Sequence, residues 1–253
     1  MTLSISVSPR RVLRTLIFVI AGLVVASTLA GAALYFLDLG ESGFLWVQLF
    51  WIDSETNLPS MYSSATLLAA AALLVLIAIA TRRAGAPYAR HWGAMAVVFT
   101  YLGFDEGARI HERTVEPLRA LLGRTSLPSS TFIDVGPAWV VLGGLFVLIF
   151  VAAYLRFLRD LPARMRTLLL LAGGLYVGGA LGFEILSGMH AVEHGQENAV
   201  FAILVTIEET LEMLGVAVFI YALLCQLESL ALRVEVRLDG GEAQKTVWMI
   251  SAG

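Results

Sequence analysis

The sequence predicts an all-α membrane protein, a bundle of six transmembrane helices followed by a small cytoplasmic β-hairpin at the C-terminal end. Three observations carry that reading. The 253 residues are 58% hydrophobic and only 15% charged, with a mean hydropathy of +0.80, against about 45–50% apolar and about 25% charged in an ordinary soluble domain. Apolar runs of about 20 residues, the length that crosses about 30 Å of hydrocarbon, recur six times along the chain. Arginines cluster beside every second gap between those runs, as expected of loops that stay on the cytoplasmic side.

The first run, 12–37, follows a basic start and is too long for a signal-peptide core, so it reads as a retained span. The others are 60–81, 91–111, 136–157, 166–187 and 199–226. If the six alternate, Arg10, Arg11 and Arg14 before the first share one side with Arg82, Arg83 and Arg90, and with Arg156, Arg159, Arg164 and Arg166. Both termini are then cytoplasmic. Arg109, Arg113, Arg119 and Arg124 fall on the outer side, interleaved with Glu106, Glu112 and Glu116.

Between the first two spans, residues 38–59 carry Phe44, Trp46, Phe50 and Trp51 among acidic residues, the composition of a segment lying in the outer interface. Residues 112–135 open with the amphipathic stretch ERTVEPLRALLG and belong on the membrane surface. Residues 1–230 thus form one transmembrane domain. The tail, 231–253, alternates on either side of Asp239-Gly240-Gly241, which signals a hairpin. An isolated hairpin is marginal, so it must lean on something else.

Several function classes drop out. A net charge of −3 offers no footprint for nucleic acid. Cys225 is the only cysteine, so neither an internal disulfide nor a thiolate cluster can form. No lysine occurs in any span, which removes a Schiff-base retinal site.

What remains is a set of acids and histidines where hydrocarbon is expected. Glu208, Glu209 and Glu212 fall near the middle of the last span, Asp105 and Glu106 in the outer half of the third, and Glu184 near the outer end of the fifth. His111, Glu112, His190, Glu193 and His194 sit at the outer boundary. Each ionised carboxylate at a helix centre costs about 2.5–3.5 kcal/mol on insertion scales. Glu208 and Glu212 share a helix face at i, i+4, and Glu209 reaches Glu212 at i, i+3. Such neighbours repel unless they share protons, pair with an arginine or bridge a cation.

Bland readings stand beside the sharp ones. Asp105, Arg109 and Glu112 lie on one helix face and form an ordinary ion-pair ladder as readily as a site. His190, Glu193 and His194 spell H-x-x-E-H, the inverted zincin arrangement in which two histidines hold zinc and the glutamate activates water; the turn-forming residues that follow also suit a loop. The glutamates of the last span could equally be protonated groups hydrogen-bonding helices together. Gly173, Gly174, Gly178, Gly179 and Gly182 read as positions of close helix packing.

Three stretches resemble the signatures of an uncharacterised family of bacterial multi-pass inner-membrane proteins: NLPSMYSS at 57–64, DEGARIHE at 105–112 and IEETLEMLG at 207–215. That resemblance implies a bacterial inner-membrane location and a shared site at those stretches, and it brings no activity with it.

The expected function is a buried Glu/Asp/His cluster in the outer half of the bundle that binds protons or a divalent metal. Its ligands come from Asp105, Glu106, His111, Glu112, Glu184, His190, His194, Glu208, Glu209 and Glu212. Carboxylate and imidazole suit zinc, iron or manganese. Two alternatives stay open: a metal-dependent hydrolase acting at the outer leaflet, with Glu193 or Glu209 as general base, and a proton-coupled transporter or accessory subunit of a membrane complex. The lipid bilayer is the expected partner, with a second membrane protein or a second copy of the chain as further possibilities.

Overall fold

The computed structural model describes residues 2–4, 8–36, 41–52, 56–108, 139–230, 233–237 and 250–251. Its helices are α1 (Pro9–Phe36), α2 (Glu41–Phe50), α3 (Leu58–Arg83), α4 (Ala89–Ala108) and α5 (Trp139–Asp160). Then come α6 (Ala163–Val177), a π-helical turn over Gly178–Phe183, α7 (Glu184–His194) and α8 (Ala199–Ser229). Within the described residues, the spans expected from hydropathy fall on helices. Residues 112–135 lie outside the described residues.

Among the described residues, five stretches are long and apolar enough to cross a membrane, against the expected six: Pro9–Ala33, Leu58–Arg83, Leu142–Asp160, Ala163–His194 and Ala199–Ser229. The missing one is α4. It is 20 residues long, about 30 Å of helix, but Arg90, His91, Asp105 and Glu106 dilute its hydropathy. The bundle's outside is made of large apolar side chains such as Phe18, Val97 and Leu148, each 70% exposed. A water-facing surface seldom shows such continuous patches; lipid tolerates them.

α8 stands at the centre. One cluster of buried residues packs its Val216, Phe219, Ile220 and Leu223 against α3, α4 and α6; a second packs its Phe201, Val205, Met213 and Ala217 against Ile20 of α1 and Ile52. In lipid no hydrophobic drive separates helix from tail, so close backbone approach and polar links must do the holding. Two glycines supply the approach. A Cβ on Gly215 would lie 2.7 Å from the Tyr176 nitrogen, and one on Gly179 would lie 2.7 Å from the Glu208 carbonyl oxygen. α3 and α4 run antiparallel side by side, Gly93 opposite Ala78, Gly103 opposite Leu68 and Gly107 opposite Ser64. Ser64 Oγ donates to the Gly103 carbonyl at 2.7 Å.

Caps and short links fix the entries. Asn57 caps α3: its Oδ1 accepts from the Ser60 amide at 3.0 Å while Ser60 Oγ accepts from the Asn57 amide at 3.1 Å. Asn57 also donates from Nδ2 to the Trp51 carbonyl, which ties the cap to the end of α2. α2 keeps Leu45 and Trp46 exposed, at 59% and 45%, consistent with an aromatic segment at an interface. Asn198 caps α8 through the Phe201 amide at 2.9 Å.

Three short strands form one antiparallel order, with Arg233–Arg237 between Thr2–Ser4 and Ile250–Ser251. The tail therefore leans on the N-terminus. The hairpin turn expected at Asp239-Gly240-Gly241 lies outside the described residues.

Candidate functional site

A cavity of about 760 Å³ lies between α4, α5, α6, α7 and α8. Its existence follows from how α5 is held. At the arginine end, Phe157 is 1% exposed and packs edge-on against Trp92 at 5.0 Å, and Tyr154 donates its hydroxyl to the His91 carbonyl at 2.8 Å. Farther along α5, Gly143, Phe146 and Val147 line the cavity together with Gly173 and Gly174 of α6, which have no side chain to fill it. Those two glycines, expected to bring helices together, widen the cavity instead. Only Gly179 of the five makes the expected close approach.

The lining changes character along its length. One part is apolar, with Met95, Phe99, Phe150, Leu169 and Phe219; Phe99 and Phe219 stack at 4.4 Å. The other part carries Asp105, Glu106, Glu184, Glu208, Glu209 and Glu212. Six acidic side chains from three separate helical segments thus line one cavity.

The π turn produces the convergence. The Glu184 amide donates five residues back, to the Gly179 carbonyl, rather than four. A wider turn shifts the phase of everything after it. Ala172 and Tyr176 lie against Gly215 before the turn, and Glu184 and Ser187 face Glu208 after it. Glu208 is 7% exposed, accepts from Ser187 Oγ at 3.2 Å and has the Glu184 carboxyl within electrostatic reach. Glu212 is half-buried by area because the cavity reaches it, although it sits deep in the bundle; Glu209, Glu106, Glu208 and Glu184 all lie within electrostatic reach of it. Asp105, Glu106 and Glu209 have further partners of their own.

The histidines do not join this group. His190 and His194 end α7 with their rings stacked at 4.7 Å, and His190 Nε2 is taken up by Asn198 Oδ1 at 2.8 Å. His194 Nδ1 stands 3.9 Å from Glu193, and both side chains are well exposed, at 60% and 71%. Parallel rings do not aim their nitrogens at one ion. His111 and Glu112 lie outside the described residues. Among the described residues, no group of three or more His, Cys, Asp or Glu side chains is placed to hold a metal ion. Ser187 was not foreseen: only the π turn rotates it toward Glu208, and nothing in the local composition announces that turn beyond the run of glycines.

Fold and site together define a class: an apolar helical bundle of membrane-protein type with an internal cavity that is aromatic in one part and acidic in the other. Within that class the chain belongs to the family described as Domain of unknown function (DUF8692), whose model matches residues 15–227. No curated protein and no solved structure matches the chain.

Proposed function

We propose that this is a six-span integral membrane protein that binds cations, protons foremost, in its acid-lined cavity. The observation that carries the reading is the shared cavity itself, where Glu184 of α7 and Glu208 of α8 line one wall together with four further carboxyls. Carboxyls gathered in one low-dielectric cavity repel one another unless some of them hold protons or a cation lies between them. The Ser187 hydroxyl supplies a donor to Glu208, so that carboxyl can lose its proton without losing all its partners.

Parity supports six crossings. The start of α1 meets the end of α8 in a groove lined by Arg10, Arg14 and Tyr221, and the strands flanking those helix ends pair with each other. A chain that begins and ends on one side crosses an even number of times. In this reading α4 adds the sixth crossing to the five apolar ones, and its antiparallel pairing with α3 shields its polar ends. By the arginine rule that side is the cytoplasm, which fits the inner membrane of a bacterium.

A divalent metal is the second reading, favoured by the approach of Glu106 on α4 to Glu212 on α8, and zinc, iron or manganese would suit such oxygen ligands. The hydrolase reading gains nothing from Glu193, which points out of the bundle beside His194. The test is infrared spectroscopy of the reconstituted protein at neutral pH, with metal analysis of the same sample. Protonated carboxyl carbonyl bands are expected, reduced in Glu184→Gln and Glu208→Gln. Bound stoichiometric metal that Glu212→Gln releases would replace the proton reading with the metal one.

A further inference from the structure

A second concavity, of about 380 Å³, opens between α1 and α8 at the arginine end of the bundle, lined by Arg10, Leu13, Arg14, Ile17, Phe18 and Tyr221. Its chemistry is unlike that of the acid-lined cavity. Arg10 and Arg14 stand one helical turn apart on the same face of α1 and are both exposed. Neither has a carboxylate partner among the described residues. Opposite them, Tyr221 accepts a hydrogen bond from Arg164 Nη2 at 2.9 Å, which leaves its own hydroxyl proton to be donated into the groove. Below this basic rim the wall turns apolar: Ile17 is 44% and Phe18 70% exposed, one and two turns into the span from Arg14 and Arg10.

A ligand that satisfies all of these must carry a negative, multiply accepting head at the membrane surface and an apolar tail beneath it. We propose that this groove is a binding site for an anionic phospholipid. Its phosphate is held between the Arg10 and Arg14 guanidiniums with the Tyr221 hydroxyl as a third donor, and an acyl chain lies along Leu13, Ile17 and Phe18. Arginine forks match phosphate oxygens in pairs, and basic pockets between helices at the cytoplasmic surface select anionic head groups. The site does not depend on what the acid-lined cavity binds.

The test uses the full-length protein in detergent, titrated with short-chain phosphatidylglycerol, phosphatidylcholine of the same chain length, or inorganic phosphate, and read by native mass spectrometry and thermal unfolding. Phosphatidylglycerol is expected to bind and stabilise; neither of the others should at equal concentration. Arg10→Ala/Arg14→Ala should weaken binding about thirty-fold, at roughly fivefold per arginine near the surface. Arg82→Ala/Arg83→Ala, at the same end but outside the groove, should leave it unchanged. Tyr221→Phe removes only a hydroxyl and should cost about three- to tenfold, which carries the test if the double variant fails to fold. Equal losses in both arginine pairs, binding of phosphatidylcholine as tight as phosphatidylglycerol, or an unaltered Tyr221→Phe would overturn the proposal.

Discussion

Gly179 decides whether the acids meet. A methyl group there would press on the Glu208 carbonyl and on Glu212 Cγ, at 2.7 and 2.9 Å, and the first of these is backbone that cannot swing aside. Gly179→Ala should therefore cost about 1–3 kcal/mol of overpacking and separate the π turn from α8. Gly178→Ala, one residue earlier with open space around it, should be neutral or slightly stabilising. Thermal unfolding of the two variants in detergent makes the comparison, and equal effects would refute the close approach. Tyr88 offers a second residue-level test outside the spans. It adopts a left-handed φ of 72°, unusual for a bulky residue, and is held there by the hydrogen bond its hydroxyl donates to Asp160 at the end of α5. That hydrogen bond, burial and the charge of Asp160 together raise its pKa above the ordinary 10.0. A raised folded value means the link is fully present below about pH 10 and disappears as pH climbs through the raised value. Wild-type protein should lose stability in that alkaline window, and Tyr88→Phe should show a flatter pH profile there.

Among the elements, α5 leans on a few aromatic contacts near its arginine end. Phe157, nearly fully buried, touches Tyr88, His91, Trp92 and Tyr154. Phe157→Ala should cost about 3–5 kcal/mol and make the arginine end of α5 a target for limited proteolysis; Leu148→Ala, 70% exposed, should not. The helices themselves were legible in the sequence, since apolar length fixes a span and α1, α3, α5 and α8 begin and end close to where their apolar runs do. The pull on Glu184, Glu208 and Glu212 is legible too, because carboxylates in hydrocarbon must find one another or another charge; what they bind is not. What was not legible is phase. His190 and Glu184 lie on one segment, yet a single widened turn sends Glu184 inward while the helix end turns both histidines outward. α4 passes a count of apolar runs but not a window average, because its polar residues are concentrated at its two ends.

At the scale of the whole molecule, the arginine ends of α1, α3, α4, α5 and α6 and the C-terminal end of α8 come together, linked by Arg164 to Tyr221, Tyr154 to His91 and Tyr88 to Asp160. That single basic rim is the strongest determinant of sidedness, because arginines resist translocation while the acids at the opposite end do not drive it. Cys225 makes the consequence measurable without any engineering. It is the only cysteine in the chain and lies partly accessible within the rim, with Arg164 Nη2 4.0 Å from its sulfur. A membrane-impermeant maleimide should label it in inverted vesicles and leave it untouched in right-side-out ones, with a Cys225→Ser variant blank in both. Tags placed at the two termini should partition with Cys225, because the start of α1 and the end of α8 share the groove beside it. Labelling from the outside would turn the bundle over, put the acid-lined part of the cavity toward the cytoplasm, and remove the anionic inner leaflet from beneath Arg10 and Arg14. Tags on opposite sides would instead mean that α4 does not cross, and the cavity it helps to wall would then be open along that flank.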